Sequence, residues 1–186
     1  MDAQIVEPEL RDEVIIENAV FKVWYSEVKE QPTKLVYTST NRPKNVDRGS
    51  MNFYTESDVV TSNNADYYRN VWDKGHLAPA ATYSDSMENL KQTFSFLNCA
   101  LQDQYLNRGE WRLLEEQERV WDDTEDLTIT VTLEWNEGFQ ILPTNGHVPT
   151  HMIKEIYFEG TQSCKRYRFP NEKPTKGWEE YEVPCD

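Results

Sequence analysis

Two short segments of the chain carry residue types from which a hydrolytic site could be built. The first, residues 72–79, places a histidine directly behind a glycine within a run of polar and turn-forming residues. The unperturbed pKa of histidine lies nearest to physiological pH, so His76 is the first candidate for a general base. The second segment, residues 106–119, offers the amide oxygen of Asn107 and the carboxylate of Glu115 on one predicted helix. A base, a neutral oxygen ligand and a supporting carboxylate are the parts of a hydrolytic site that uses one magnesium ion.

Each of these three residues also has an ordinary structural interpretation. An isolated histidine most often makes hydrogen bonds in a protein core. Asn107 could cap the helix that begins beside it, since asparagine is a favoured N-cap residue. Glu115 could be a solvated glutamate on a helix face, because it has several acidic neighbours in sequence. Residue types alone leave these alternatives open.

The exact residue order of the two segments is more informative than their residue types alone. The strings WDKGHLAPA and LNRGEWRLLEEQER resemble the signature of the DNA/RNA non-specific endonucleases, which are ββα-metal or His-Me finger nucleases, and endonuclease G is the most similar type. The resemblance extends from about residue 34 to about residue 170, with its segments in the family order. Further matching segments are an arginine segment at 47–53, a stretch at 64–68 and a turn and strand at 148–152.

The resemblance implies a metal-dependent endonuclease that hydrolyses phosphodiester bonds of DNA, RNA or both without sequence preference. It implies that His76 is the general base that activates water and that Asn107 holds a single Mg²⁺, or Mn²⁺. Glu115 would hold the waters of that ion, and Asn98 would lie near the metal or the base. The implied fold is α+β, with a mainly antiparallel sheet and a ββα-metal core, and the implied products carry a 5′-phosphate.

Cationic side chains are the candidates for holding the phosphate. Arg48 would contact phosphate oxygens, because guanidinium binds them bidentately, and its alternative role is a surface ion pair with Asp47. Lys74 stands where the family usually has arginine, which keeps the charge and loses the planar fork. Arg108, next to Asn107, is a third candidate for substrate binding.

The formal net charge of −14 is unusual for a protein that binds nucleic acid, because such binding normally depends on positive surface. The acidic residues crowd the N-terminus and residues 115–126. We therefore expect a locally positive cleft on an otherwise negative body. The acidic composition also supports an alternative, a catalytically weak or inactive binding module on a nuclease fold. The cations near the two segments are Arg42, Lys44, Arg48, Arg69, Lys74, Arg108 and Arg112.

The length of 186 residues suits one nuclease domain spanning 1–186, with about the first 12 residues expected to be flexible. No stretch approaches the roughly 20 apolar residues of a membrane span. No targeting segment is visible at the start, which favours a cytoplasmic location. Nucleic acid is the expected partner; the sequence leaves homodimer formation open and does not identify an inhibitor protein.

The three cysteines are Cys99, Cys164 and Cys185. An odd number without paired spacing argues against a disulfide framework and a zinc site. We expect buried or free thiols in a reducing compartment, with a Cys164–Cys185 bridge as the alternative.

The elements that must position the site follow from hydrophobic patterning, which predicts an α+β fold. The most regular helix is predicted at 106–122, where Leu113, Leu114, Gln117, Val120 and Trp121 would form one largely apolar stripe. On such a helix the side chains of residues 107 and 115 project toward neighbouring sectors of one side. A long, functional loop is predicted at 39–67. The remaining predictions are strands in 13–28, at 34–38 (paired with 21–25), 93–98, 127–135, 139–142, 152–158 and 163–169, and a short helix at 86–92 capped by Ser84 or Asp85.

Overall fold

A computed structural model describes residues 9–186 and contains two antiparallel sheets of unequal size. The nine strands are β1 Val14–Glu17, β2 Phe21–Ser26, β3 Gln31–Ser39, β4 Trp72–His76, β5 Cys99–Asp103, β6 Leu127–Glu134, β7 His151–Phe158, β8 Ser163–Pro170 and β9 Glu182–Val183. Seven of them form the large sheet, in the order β1-β2-β3-β6-β7-β8-β9, and β4 pairs with β5 in the small one. The expected α+β fold with a mainly antiparallel sheet is confirmed.

The helices are few and short. They are α1 Met87–Gln92, α2 Gln104–Leu106 and α3 Arg112–Trp121, with a wider π-type turn at Asn107–Trp111 between α2 and α3. Single 3-10 turns lie at Asn64–Tyr67, Ala80–Tyr83, Phe96–Asn98 and Trp178–Tyr181. Together β4, β5 and α3 form a strand–strand–helix unit in chain order, which is the expected ββα core.

The large sheet follows from simple alternation of apolar and polar residues. In β6 every second side chain is buried and its neighbours are half-buried, so one face of the strand covers the core. Burying each such aliphatic side chain contributes roughly 1.5–3 kcal/mol. Trp111 and Leu114, at the start of α3, belong to the same core cluster. The helix is therefore packed against a rigid platform.

Several predicted boundaries are confirmed and others are wrong. The predicted pairing of residues 34–38 with residues 21–25 is confirmed by the β2–β3 register. The strand predicted at 93–98 is wrong: the hydroxyls of Thr93 and Ser95 bond nearby backbone groups and favour turns. The strand predicted at 139–142 is reduced to one isolated bridge. The cap of α1 is Ser86 rather than Ser84 or Asp85.

The cysteine expectation is corrected by the pairing of β8 with β9. That register brings Cys164 and Cys185 to a Cα–Cα distance of 6.4 Å, and the two form a disulfide. Only Cys99 is a free thiol, and burial raises its pKa to about 12. The bridge was only the alternative in the sequence analysis, because its partners, 21 residues apart, meet only through sheet register.

The N-terminal residues expected to be flexible fall largely on 1–8, which lie outside the described residues. Arg11 is anchored, because its side chain donates to both carboxylate oxygens of Glu27, at 2.8 and 2.6 Å. Within residues 9–186, no helix combines the length and the apolar character needed to cross a membrane.

Candidate active site

The candidate base, His76, is the last residue of the short strand β4, which pairs with β5. His76 pairs with Cys99 across the two strands. Lys74 lies two residues earlier and therefore on the same face as His76. Gly75, between them, faces Gln102 so closely that a Cβ would lie 2.2 Å from the Gln102 amide oxygen and 2.7 Å from its Cβ. The absence of a side chain at Gly75 thus lets the Gln102 side chain of β5 pack directly against β4.

The imidazole of His76 lies among aromatic rings, with centroid distances of 4.7 Å to Phe53 and 4.9 Å to Phe94. Its Nε2 is buried, and no group within residues 9–186 forms a hydrogen bond with it. Burial lowers the pKa of His76 to about 3, with a further contribution from the positive charge of Arg48. The imidazole is therefore neutral at physiological pH and able to accept a proton.

Asn98 does not line the cleft, but its side chain contacts the backbone two residues after His76, and its role near the metal or the base stays a prediction. The residue is fully buried. Its side chain accepts from the Ala78 amide at 2.7 Å and donates to the carbonyls of Ala78 and Thr93, each at 2.9 Å. Asn98 fixes the backbone that leaves β4 just after His76. It acts on the base indirectly, as a positioning residue.

Asn107 stands at the break between α2 and α3, where it ends α2, and it is not an N-cap. Asp103 caps α2, accepting from the amides of Tyr105 and Leu106 at 2.9 and 3.1 Å. The side-chain nitrogen of Asn107 donates to Asp73 at 2.9 Å. Because the nitrogen end is committed to that carboxylate, the amide oxygen remains the acceptor that Asn107 can offer to the cleft.

Glu115 is not a solvated helix glutamate. Only 13 % of its side chain is exposed, and its Oε1 has no hydrogen-bond partner in the described part of the chain. Burial raises the pKa of Glu115 to about 7, while the charge of Lys154, 3.8 Å away, acts in the opposite direction. A buried carboxylate with an unused oxygen is a suitable group for ordering water or a cation.

The predicted apolar stripe on this helix is partly wrong. Leu113 and Val120 are exposed, at 36 % and 58 %. The face that packs on the sheet instead carries Leu114 and the fully buried Glu118. Glu118 can lie there because Tyr37 donates to it at 2.6 Å and the Lys154 ammonium lies 2.8 Å away. The helix is also shorter than predicted, since the backbone at Gly109 is not helical.

These side chains meet at one cleft of about 670 Å³, between the small sheet and α3. Six of the seven predicted site residues line it, and Asn98 does not. Five cations and three carboxylates are among the lining residues, which agrees with the expected local excess of positive charge. The lining residues are Arg48, Met51, Asn52, Phe53, Asp73, Lys74, His76, Pro79, Ala80, Ala81, Phe94, Asn107, Arg108, Arg112, Glu115, Glu116 and Arg119.

Arg48 is well placed to meet an anion. Its guanidinium lies 5.4 Å from the centroid of Phe94, beside the base. Asp47, the alternative partner, instead accepts from the Gly49 amide at 3.0 Å. Among residues 9–186, no carboxylate forms an ion pair with Arg48.

The other two predicted phosphate ligands are already engaged. Lys74 donates to the side chain of Asn64. Arg108 is held by Asp73 through two bonds, at 2.8 and 2.7 Å, although 67 % of its side chain is exposed. Asp73 thereby orients both Arg108 and Asn107. Arg108 would have to share this carboxylate with any phosphate it binds.

Sequence reasoning counted Arg112 among the cations near the site but missed a second cleft cation of the same helix, Arg119. Arg112 is paired with Glu116 one helical turn later. Arg119 follows Glu115 by four residues, and that spacing places both on one helix face. The Nη1 atom of Arg119 is buried without a hydrogen-bond partner in the part of the chain that the structure describes. The four-residue spacing was the available signal, but the acidic surroundings of Arg119 in sequence obscured it.

The lowered pKa of His76 makes stability dependent on pH. Its unfolded-state pKa is about 6.5, so between pH 6.5 and about 3 the unfolded chain binds more protons, and stability falls as pH falls. We expect wild type to lose about 1–2 kcal/mol more than His76→Gln between pH 7 and pH 5. Urea denaturation in chelator measures this difference, and parallel pH profiles for the two proteins would contradict it.

Comparison with known proteins gives one family match and several relatives of this chain. The model of the family described as DNA/RNA non-specific endonuclease matches residues 4–186. Mitochondrial endonuclease G of Bos taurus is 30% identical over 142 residues, which is 67% of this chain and 48% of the relative. The Homo sapiens protein is 32% identical over 123 residues, 58% of this chain and 41% of the relative. Mitochondrial nuclease EXOG of Mus musculus is 33% identical over 107 residues, 50% of this chain and 28% of the relative.

The chain thus spans about half the length of the endonuclease G sequences it matches, and less of EXOG. A solved structure described as the EndoG/EndoGI complex, with a mechanism of EndoG inhibition, gives a TM-score of 0.82 at 22% identity. That match covers 91% of this chain and 80% of the other. It shows that the two chains share a fold.

Proposed function

We propose that this chain, which belongs to the DNA/RNA non-specific endonuclease family, is a metal-dependent endonuclease acting on DNA, RNA or both. The observation that carries the proposal is the neutral His76, whose buried Nε2 has no hydrogen-bond partner within residues 9–186 and whose ring lines a cation-rich cleft. The names of its relatives support the same activity.

A divalent cation fits the donor set of this cleft. Asn107 offers an amide oxygen and Glu115 offers the carboxylate that lines the cleft, and hard cations such as Mg²⁺ or Mn²⁺ prefer oxygen ligands. Asn107 would hold the ion, and Glu115 would order water around it. When bound, such an ion supplies Lewis-acid stabilisation of the charge that develops on the phosphate and on the leaving oxygen.

The protein's own groups account for the proton and the phosphate. His76 would take a proton from a water molecule at a ring nitrogen, and the water oxygen would attack phosphorus in line with the leaving 3′ oxygen. The bond from phosphorus to that oxygen breaks, the 3′ oxygen is protonated from solvent, and the 5′-phosphate remains on the other product. Arg48 and Lys74 would hold the non-bridging oxygens, and Arg119 lies on the same side of α3 as Glu115 to add positive charge.

A cleavage assay tests the proposal directly. Supercoiled plasmid and a long RNA are incubated with the purified chain and Mg²⁺ or Mn²⁺, with and without EDTA. We expect nicked and linear DNA or shortened RNA carrying 5′-phosphate ends, and full suppression by EDTA. Binding of nucleic acid without any cleavage under both metals would overturn the nuclease proposal in favour of an inactive binding module.

Contacts to phosphate should also make the reaction sensitive to salt. If about three phosphates are neutralised by the cleft cations, kcat/KM should fall by tenfold or more between about 50 and 200 mM salt at fixed Mg²⁺. Arg48→Gln should lower activity and reduce the logarithmic salt slope by about one. Initial rates on a short duplex measure both, and a flat salt profile would contradict the prediction.

A further inference from the structure

Lys154 is a fully buried lysine in the middle of the large sheet, on β7. Its ammonium lies beneath α3, 2.8 Å from Glu118 Oε1 and 3.8 Å from Glu115 Oε1. The ring centroid of Trp111 is 4.2 Å away and contributes a cation–π contact. One cation from the sheet therefore faces two carboxylates that lie one helical turn apart.

The two carboxylates differ in their other partners. Glu118 is also satisfied by the hydroxyl of Tyr37 at 2.6 Å and lies outside the cleft lining. Glu115 lines the cleft, and within residues 9–186 no hydrogen bond holds its Oε1. Arg119, on the same helix, is the other cation whose charge acts on Glu115. Lys154 is thus the group of the sheet that reaches both the buried carboxylate and the cleft carboxylate.

Stability alone explains this arrangement poorly. Taking charges out of water is costly, and replacing a buried ion pair by apolar side chains is often neutral or stabilising. The sheet face around Lys154 is otherwise apolar, with Met152 and Ile156 buried on the same strand. A methionine would fill this volume without the cost of desolvating an ammonium. The contact that a methionine could not replace is the charge facing Glu115.

We propose that Lys154 is a positioning residue, which holds the Glu115 carboxylate in its place at the cleft from the sheet below. The inference rests on the proposed function, because it assigns a use to the orientation of Glu115. Glu118, the other carboxylate beside the ammonium, then balances its charge in the core. The strand β7, flanked by β6 and β8, supplies the fixed reference from which Glu115 is placed.

Three variants distinguish a positioning role of Lys154 from a purely structural one. Lys154→Met and Glu118→Gln each break the same 2.8 Å ion pair, so a purely structural role predicts similar losses in both. We expect Glu118→Gln to keep kcat within about threefold of wild type, because the ammonium still faces Glu115. Lys154→Met should lower the melting temperature by roughly 6–15 °C, since it strands buried carboxylates. The double variant removes both charges of the pair and should regain most of that loss.

Catalysis and metal affinity are then compared between wild type and the double variant, whose stability is expected to be close to that of wild type. In the double variant we expect kcat to remain at least about tenfold below wild type, with KM for nucleic acid little changed. Direct Mn²⁺ binding to the nucleic-acid-free protein, followed by electron paramagnetic resonance, should weaken by a similar factor. Wild-type kcat and Mn²⁺ affinity in the double variant would overturn the positioning role.

The two proposals can fail separately. A wild-type protein that binds Mn²⁺ but cuts no nucleic acid refutes the proposed function. The Mn²⁺ affinities of wild type and the variants still test the role of Lys154 in that case. A wild-type protein that cuts nucleic acid, together with equal Mn²⁺ affinities in all variants, refutes the role of Lys154 alone. A wild-type protein without measurable Mn²⁺ binding refutes the inference as well as the metal site.

Discussion

His76→Ala is expected to lower phosphodiester cleavage by roughly 10²–10⁴-fold while the protein stays folded. The reason is that a neutral imidazole whose ring lines the cation-rich cleft is the group best suited to take a proton from water. Nucleic-acid binding should change much less, because Arg48 and the other cations of the cleft are untouched. Single-turnover cleavage of a labelled oligonucleotide, together with binding in EDTA, separates these two effects.

The matched control is His151→Gln. His151 lies at the start of β7 and bonds Asn136 and Thr150 outside the cleft, so this variant should cleave at the wild-type rate. Added imidazole should partly restore His76→Ala, because the substitution leaves a space between Phe53 and Phe94. A folded His76→Ala protein that still cleaves at the wild-type rate would exclude His76 as the base.

Most strands of the large sheet could be predicted from the sequence, because burial of one sheet face makes apolar residues recur at every second position. The strands β6, β7 and β8 were predicted within two residues of their bounds. His76, Asn107 and Glu115 could be selected as candidates because their residue types fit hydrolysis and because WDKGHLAPA and LNRGEWRLLEEQER resemble a known signature. Their convergence on one cleft required the fold.

The failures have a common physical origin, which is that long-range partners decide local structure. Glu118 is a polar residue by any pattern, yet it is buried because Lys154 and Tyr37 arrive from other strands. The strand predicted to end at Asn98 does not form, and the Asn98 side chain instead bonds Ala78 and Thr93. The Cys164 bridge depends on a two-residue strand far along the chain. No local pattern carries this information.

The π-type turn that carries Asn107 leads to the second large effect. Asn107→Ala removes the amide oxygen that this turn presents to the cleft, so we expect cleavage at limiting Mg²⁺ to fall by at least about a hundredfold. The free energy of unfolding should drop by only about 1 kcal/mol, because one hydrogen bond to Asp73 is lost. Cleavage rates over a Mg²⁺ titration and urea denaturation of the same samples measure the two quantities.

Asn107→Asp tests whether the oxygen or the hydrogen bond matters. It keeps an oxygen donor but places a second carboxylate against Asp73 Oδ2, where the amide nitrogen now donates at 2.9 Å. We expect partial activity that recovers as Mn²⁺ is raised, because a cation between two carboxylates relieves their repulsion. Asn136→Ala, at an exposed asparagine outside the cleft, is the matched control and should behave as wild type. If Asn107→Ala keeps the wild-type Mg²⁺ requirement, the ion is held by other residues, and Asn107 serves only to orient Asp73.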